Sequence, residues 1–166
     1  MSDILEEVVS QVVACIQSGG KILTFGVGGN AANAIHFAAE LSGKFEQYES
    51  PLPCIDLCSN PSVLTAITND FGWEHVFSRQ IMALAKPEDV VVAFSIGTGG
   101  SYLRNAIAQA LTMCQVVLIC GRNTFFNPTM SNLLIYELGS EDTPKVQERQ
   151  LEIIHQLCSS IKALLL

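Results

Sequence analysis

Charge is scarce in this chain. Only 15% of its 166 residues are Asp, Glu, Lys or Arg, against roughly 25% in a typical soluble domain. Cations are the scarcer sign: nine Lys and Arg stand against sixteen Asp and Glu, for a formal net charge of −7. With no cationic surplus to displace counterions from a phosphate backbone, no nucleic-acid partner is expected. An anionic ligand would have to be held by backbone N–H groups and hydroxyls, not by a basic patch. Long apolar runs are missing too. The longest are of the kind Val90 to Phe94, far below the roughly 18 residues of a membrane span, so no membrane association is expected. The opening Ser2-Asp3-Ile4-Leu5-Glu6-Glu7 is acidic and amphipathic, unlike the basic and apolar regions of a signal peptide. Cys15, Cys54, Cys58, Cys114, Cys120 and Cys158 include no Cys-x-x-Cys pair and fall in apolar segments. They read as reduced, buried thiols of a cytoplasmic protein.

Apolar residues are plentiful, at 49% of the chain. That composition excludes disorder and specifies one large core in a chain long enough for a single domain, residues 1–166. It is also more apolar surface than a domain this small needs. The excess points to burial against further copies, as a homo-oligomer (dimer or tetramer).

Ile4, Leu5, Val8, Val9, Val12, Val13 and Ile16 recur at helical spacing, and Gly19-Gly20 stops that helix. Lys21 to Gly26 reads as a strand, Asn30 to Leu41 as an Ala-rich helix, and Pro53 to Cys58 as a second strand. Helical stretches follow near 61–68 and 74–85, then a Val-rich strand from Asp89 to Ser95 that is expected to be covered on both faces. Tyr102 to Met113 is helical, Gln115 to Cys120 and Leu133 to Tyr136 are strands, and Pro144 opens a long closing helix. Alternating strands and helices specify an α/β, doubly wound domain: a five-stranded parallel sheet with helices on both faces.

Two glycine loops follow the first and third strands, Gly26-Val27-Gly28-Gly29-Asn30 and Gly97-Thr98-Gly99-Gly100-Ser101. Each lies at the carboxyl end of a strand and opens a helix, where an open α/β sheet binds ligands and free N–H groups meet anions. The first also satisfies G-x-G-x-x-A, a dinucleotide fingerprint, but no acid follows at the expected distance of roughly twenty residues. Tight turns without a ligand are the plainest alternative. His36 and Glu40 are four residues apart and share a helix face, and Gln147 and His155 face broadly the same way on the closing helix. Each histidine alone fits a core position. Together the four side chains supply two imidazole nitrogens and two oxygens, a set suited to zinc, or a carboxylate base with an imidazole acid.

Four strings carry a resemblance: Gly26-Val27-Gly28-Gly29-Asn30, Ala34-Ile35-His36-Phe37-Ala38-Ala39-Glu40-Leu41, Thr68-Asn69-Asp70-Phe71-Gly72 and Val76-Phe77-Ser78-Arg79. With Gln147-Glu148 and His155, they resemble the sugar isomerase (SIS) domain family, most closely its phosphoheptose isomerases, from about Val8 to the C-terminus. The resemblance implies a SIS-type fold and conversion of sedoheptulose 7-phosphate to the heptose 7-phosphate of lipopolysaccharide cores, through an enediol. It implies Glu40 and His155 as acid and base, and one zinc per chain on His36, Glu40, Gln147 and His155. It places the substrate's phosphorylated sugar against Gly28, Gly29, Asn30, Asn69, Asp70, Ser95, Gly97, Thr98, Ser101 and Gln147.

The chain departs from the family at both loops. The family's first loop usually reads Gly-Asn-Gly-Gly-Ser, where Val27 and Asn30 stand here. Its phosphate loop reads Ser-Thr-Ser-Gly-Asn-Ser, against Ser95-Ile96-Gly97-Thr98-Gly99-Gly100. Only Ser95 keeps its hydroxyl in register, with Thr98 and Ser101 as stand-ins. The chain also opens at what would be the family's second helix. These departures keep a second reading open: a non-catalytic SIS module that binds a phosphosugar or a protein partner, as in the branch that binds the replication initiator.

Overall fold

The computed structural model describes residues 3–46, 50–97, 99–122, 125–127 and 129–165. Five strands form a parallel sheet: β1 (Ile22–Phe25), β2 (Cys54–Asp56), β3 (Val90–Ser95), β4 (Gln115–Cys120) and β5 (Leu133–Glu137). Their spatial order is β2-β1-β3-β4-β5. The connections leaving β1 and β3 therefore run in opposite directions across the sheet. The gap between those strands is the topological switch point at which open α/β sheets take their ligands, and both glycine loops emerge there.

Alternation of side chains along the central strands builds two cores. Val90, Val92, Phe94, Val117 and Ile119 face helices α1 (Asp3–Gln17), α2 (Gly29–Ser42) and α6 (Thr143–Leu165). Val91, Ala93, Val116, Leu118 and Cys120 face α4 (Ser78–Leu84) and α5 (Ser101–Leu111) on the other side. Each β3 residue is buried, as a strand covered on both faces must be. The remaining helix, α3 (Pro61–Phe71), starts with an Asn60 side chain that accepts the Val63 N–H, and it buries no residue.

Two expectations need correction. The stretch 74–85 is not one helix: a 3₁₀ turn at Trp73–His75 precedes α4. Val76, Phe77 and Ser78 are all buried, and three successive residues fan over too wide an arc to share one helix face. The Phe77 ring stacks on Phe25 at 4.7 Å and fixes the turn. The second strand ends early, at Asp56. That carboxylate accepts the Cys58 N–H and the Ser59 hydroxyl, both at 2.9 Å, and turns the chain out of the sheet.

At the C-terminus, Leu165 packs against its own chain's core, Leu164 is exposed, and Leu166 lies outside the described residues. None of the six cysteines is in a disulfide, and five are buried, with Cys58 half-buried. Burial pushes the thiols of Cys15, Cys58 and Cys114 up to about 11 and Cys120 up to about 12. They stay protonated and weakly nucleophilic at neutral pH.

Candidate active site

Helix α2 starts on the first glycine loop and carries Asn33, His36 and Glu40 along one face. His36 Nε2 lies 3.3 Å from Glu40 Oε1 and 3.2 Å from His155 Nε2 on α6. The chain thus brings a carboxylate and two imidazoles together across the α2–α6 seam. His36 and Glu40 are partly accessible, with side-chain exposures of 39% and 23%, and His155 is exposed. The Phe45 ring lies 5.9 Å from His155. A groove of about 660 Å³ opens beside them, lined also by Glu46, Gln156, Ser159 and Ser160, within the size range of small-molecule sites.

The fourth residue, Gln147, lies over the first loop. A Cβ at Gly29 would stand 2.5 Å from Gln147 Nε2, so only a glycine lets the side-chain amide rest on that backbone. Asn30 turns inward: its Nδ2 donates to Val27 O at 3.3 Å and its Oδ1 is buried without a hydrogen-bond partner. It shapes the loop from beneath. Gly28, the residue before α2, leaves the helix start without a side-chain cap; the loop's own carbonyls take its N–H groups instead, Asn30 N–H donating to Val27 O at 3.2 Å and Ala31 N–H to Gly28 O at 3.0 Å.

At the second loop, Ser95 is buried and its hydroxyl accepts the Gly97 N–H at 3.3 Å. Gly97 has φ 127, a conformation that side chains resist. The Gly99 N–H then donates to Gly97 O at 2.9 Å. Ser101 is exposed at the first position of α5, which has no side-chain cap. Thr98 lies outside the described residues. Tyr102 follows, its ring 6.2 Å from Trp73 and 6.3 Å from Phe77.

Asn69 and Asp70 do not join the α2–α6 cluster. They sit exposed on the last turn of α3, where Asn69 Nδ2 donates to Asp70 Oδ1 at 2.9 Å. Arg79 stacks over the Phe71 ring at 3.6 Å. Two residues outside the sequence-derived set stand at the centre of the seam. Asn33 donates to Gln147 O and to Gln150 Oε1, and Gln150, fully buried, donates to Ser95 O and Ile119 O. The signal for Gln150 was available: an amide on the apolar stripe of Val146, Ile153, Ile154 and Leu157.

The imidazoles of His36 and His155 and the carboxylate of Glu40 are donors that zinc accepts, while the Gln147 amide rests on Gly29. A tetrahedral ion with ligands at about 2.0–2.1 Å spaces them about 3.3–3.4 Å apart, close to the two separations that meet at His36. The edge from Glu40 to His155 is not formed, and among the described residues no three His, Cys, Asp or Glu side chains make a closed metal cage.

Comparisons with known proteins agree with this architecture. A family model described as SIS domain matches residues 1–119. A phosphoheptose isomerase from a Geobacter species is 37% identical over 163 residues, 98% of this chain and 84% of the relative. Another from Campylobacter concisus is 40% identical over 159 residues, 93% of this chain and 82% of the relative. Among solved structures, a phosphoheptose isomerase from Francisella tularensis has a TM-score of 0.90 at 25% identity, covering 96% of this chain and 85% of that one. One from Neisseria gonorrhoeae has a TM-score of 0.85 at 31% identity, covering 97% and 86%. The chain belongs to the SIS-domain family, within its phosphoheptose isomerases.

Proposed function

We propose that this chain interconverts sedoheptulose 7-phosphate and the heptose 7-phosphate aldose through an enediol. The observation that carries the reading is the meeting of His36 and Glu40 from α2 with His155 from α6. It lies on the helix that the first switch-point loop opens. Glu40 takes the proton from the carbon next to the ketone, and His155 gives a proton to the carbonyl oxygen. The electron pair of the broken C–H bond becomes the C=C bond of the enediol. Return of the proton to the neighbouring carbon, with loss of the hydroxyl proton to the imidazole, yields the aldose. Atoms and electrons balance without a co-reactant.

His36 stands between the acid and the base. Its Nε2 holds at most one proton, which points to Glu40 or to His155 but not squarely to both. The phosphate is assigned to the second loop, where backbone N–H groups at the start of α5, with Thr98 and Ser101, take over from the hydroxyls that the family has and this chain lacks. Ser95 supports that loop. Gly28 and Gly29 let the sugar approach the first loop closely.

Zinc belongs to the proposal as well. His36, Glu40, Gln147 and His155 would hold it. A bound zinc would polarise the carbonyl as a Lewis acid. The chain is further proposed to act as a cytoplasmic homo-oligomer, dimer or tetramer. The support is α3, which buries no residue in its own chain, and the exposed Phe71, Trp73 and Met82 around it. No described helix is long and apolar enough to cross a membrane. Sedimentation showing only monomer at micromolar concentration would remove the oligomer.

The test of function is turnover of sedoheptulose 7-phosphate by the wild type and by Glu40→Gln. Aldose formation that Glu40→Gln abolishes, with the fold intact, supports the reading. If the wild type binds the phosphosugar but never turns it over, with or without zinc, the chain is a binding module instead.

A further inference from the structure

Asn33 and Gln150 form a closed hydrogen-bond relay that none of the catalytic roles above uses. Asn33 Nδ2 donates at 3.1 Å to the Gln147 backbone carbonyl and at 3.0 Å to Gln150 Oε1. Gln150 Nε2 donates at 2.9 Å to Ser95 O and at 3.3 Å to Ile119 O. Two amide groups carry four N–H bonds, and all four are placed. Their orientation is chemically unique. A flipped Gln150 would set its oxygen against two carbonyl oxygens, and a flipped Asn33 would do the same against Gln147 O and Gln150 Oε1.

The elements joined are those that carry the proposed chemistry. Asn33 shares a helix with His36 and Glu40, and Gln150 shares one with Gln147 and His155. Ser95 ends β3 at the root of the second loop, and Ile119 lies next to the end of β4. Gln150 has 0% exposure, so water cannot replace a lost partner without opening the core. Apolar packing of α6 alone is non-directional and tolerates small slides, whereas four directed bonds fix one register.

We propose that Asn33 and Gln150 are positioning residues: a neutral amide pair that sets the register of α6 against α2 and the second loop, and so brings His155 to His36. The proposal rests on the isomerase reading for its kinetic consequence and on geometry alone for its structural one. Being uncharged, the relay holds this register independently of the protonation changes that catalysis imposes on the neighbouring cluster.

The experiment uses the full chain and three variants: Gln150→Met, similar in volume but without a donor; Asn33→Ala, at a half-buried position; and the double variant. Displacement of a reacting group by about 1 Å costs on the order of 100-fold. Each single variant is therefore expected to lose roughly 10- to 100-fold in kcat, with KM within about three-fold, assayed well below its melting temperature. The double variant should be no slower than the worse single, because both break one relay. Independently of turnover, the His36 and His155 rings, with centroids 5.3 Å apart, should show a through-space NMR contact in the wild type that weakens in the variants. With three histidines in the chain, these signals are readily assigned. Should Gln150→Met fail to fold, Asn33→Ala carries the test. Unchanged kcat and an unchanged ring contact, with only a lowered melting temperature, would overturn the proposal. A wild type without turnover would end the isomerase reading, while the ring contact in the variants would still decide the relay.

Discussion

Replacing Gly29 with alanine separates the fold from the site. The new Cβ would stand 2.5 Å from Gln147 Nε2, where an unstrained contact needs about 3.5 Å. The Gln147 amide must therefore withdraw by about 1 Å, the misplacement for which losses on the order of 100-fold are typical. The clash is with the mobile end of a side chain, so it relaxes by moving Gln147 and not the backbone. Alanine also suits a helix better than glycine, by up to about 1 kcal/mol. In a chain of this length that gain corresponds to at most about 2–4 °C in melting temperature. Gly29→Ala should thus keep or slightly raise the melting temperature while kcat/KM falls roughly 10- to 100-fold. Scanning calorimetry and isomerase kinetics on the same preparation measure both. An unchanged kcat/KM would refute the reasoning, because it would mean that the Gln147 side chain touches neither substrate nor metal. A collapse in melting temperature would also refute it, by showing that the loop backbone cannot absorb one methyl group.

The other predictions concern the far end of the sheet, the thiols and the metal. Asp89, 1% exposed, accepts from Lys21 Nζ at 2.6 Å, Lys21 N at 2.9 Å and Lys86 N at 2.7 Å. Asp89→Ala strips three donors at once and should cost about 3–5 kcal/mol in denaturant unfolding, with kcat of the folded protein unchanged. Cys58 and Cys120 have folded pKa values raised from 9.0 to about 11 and about 12. The unfolded chain releases those protons first, so stability holds below pH 9 and falls as pH rises above it. By pH 10 each should have lost on the order of 1 kcal/mol, measurable as a lower denaturant midpoint than at pH 8. Metal analysis of protein purified without chelator should find one zinc per chain, removed by chelator and no longer retained in His36→Ala. An empty site in every preparation would leave the four residues as an acid–base and hydrogen-bonding set.

How much of this was legible depended on whether a feature is local. Parallel order and two-sided burial follow from the Val-rich run at β3 and the strand–helix alternation, so the architecture could be read directly. His36 and Glu40 share a helix, and spacing alone put them on one face. That His155 reaches His36 across 119 positions required the resemblance, because nothing in local periodicity aligns α6 with α2. The break at Val76-Phe77 was hidden because either side of it is helical in composition, and the fixing contact is to Phe25, far away in sequence. Asn33 and Gln150 stayed out of the candidate set for the same reason. An amide on an apolar stripe signals a buried partner, but four bonds that join α2, α6, β3 and β4 appear only once the chain is folded. Asn69 and Asp70, clear as a motif, sit apart from the cluster on the exposed last turn of α3.

The central claim is that Glu40 moves a proton between adjacent carbons of a phosphorylated ketose. Incubating the protein with sedoheptulose 7-phosphate in heavy water and following it by proton NMR tests that claim most directly. The account predicts that deuterium from solvent enters the growing aldose at the former ketone carbon, and the returned ketose at the carbon next to the ketone, and that neither occurs with Glu40→Gln. Aldose formed by Glu40→Gln at the wild-type rate, or a wild type that leaves the ketose unlabelled and unconverted with and without zinc, would contradict it.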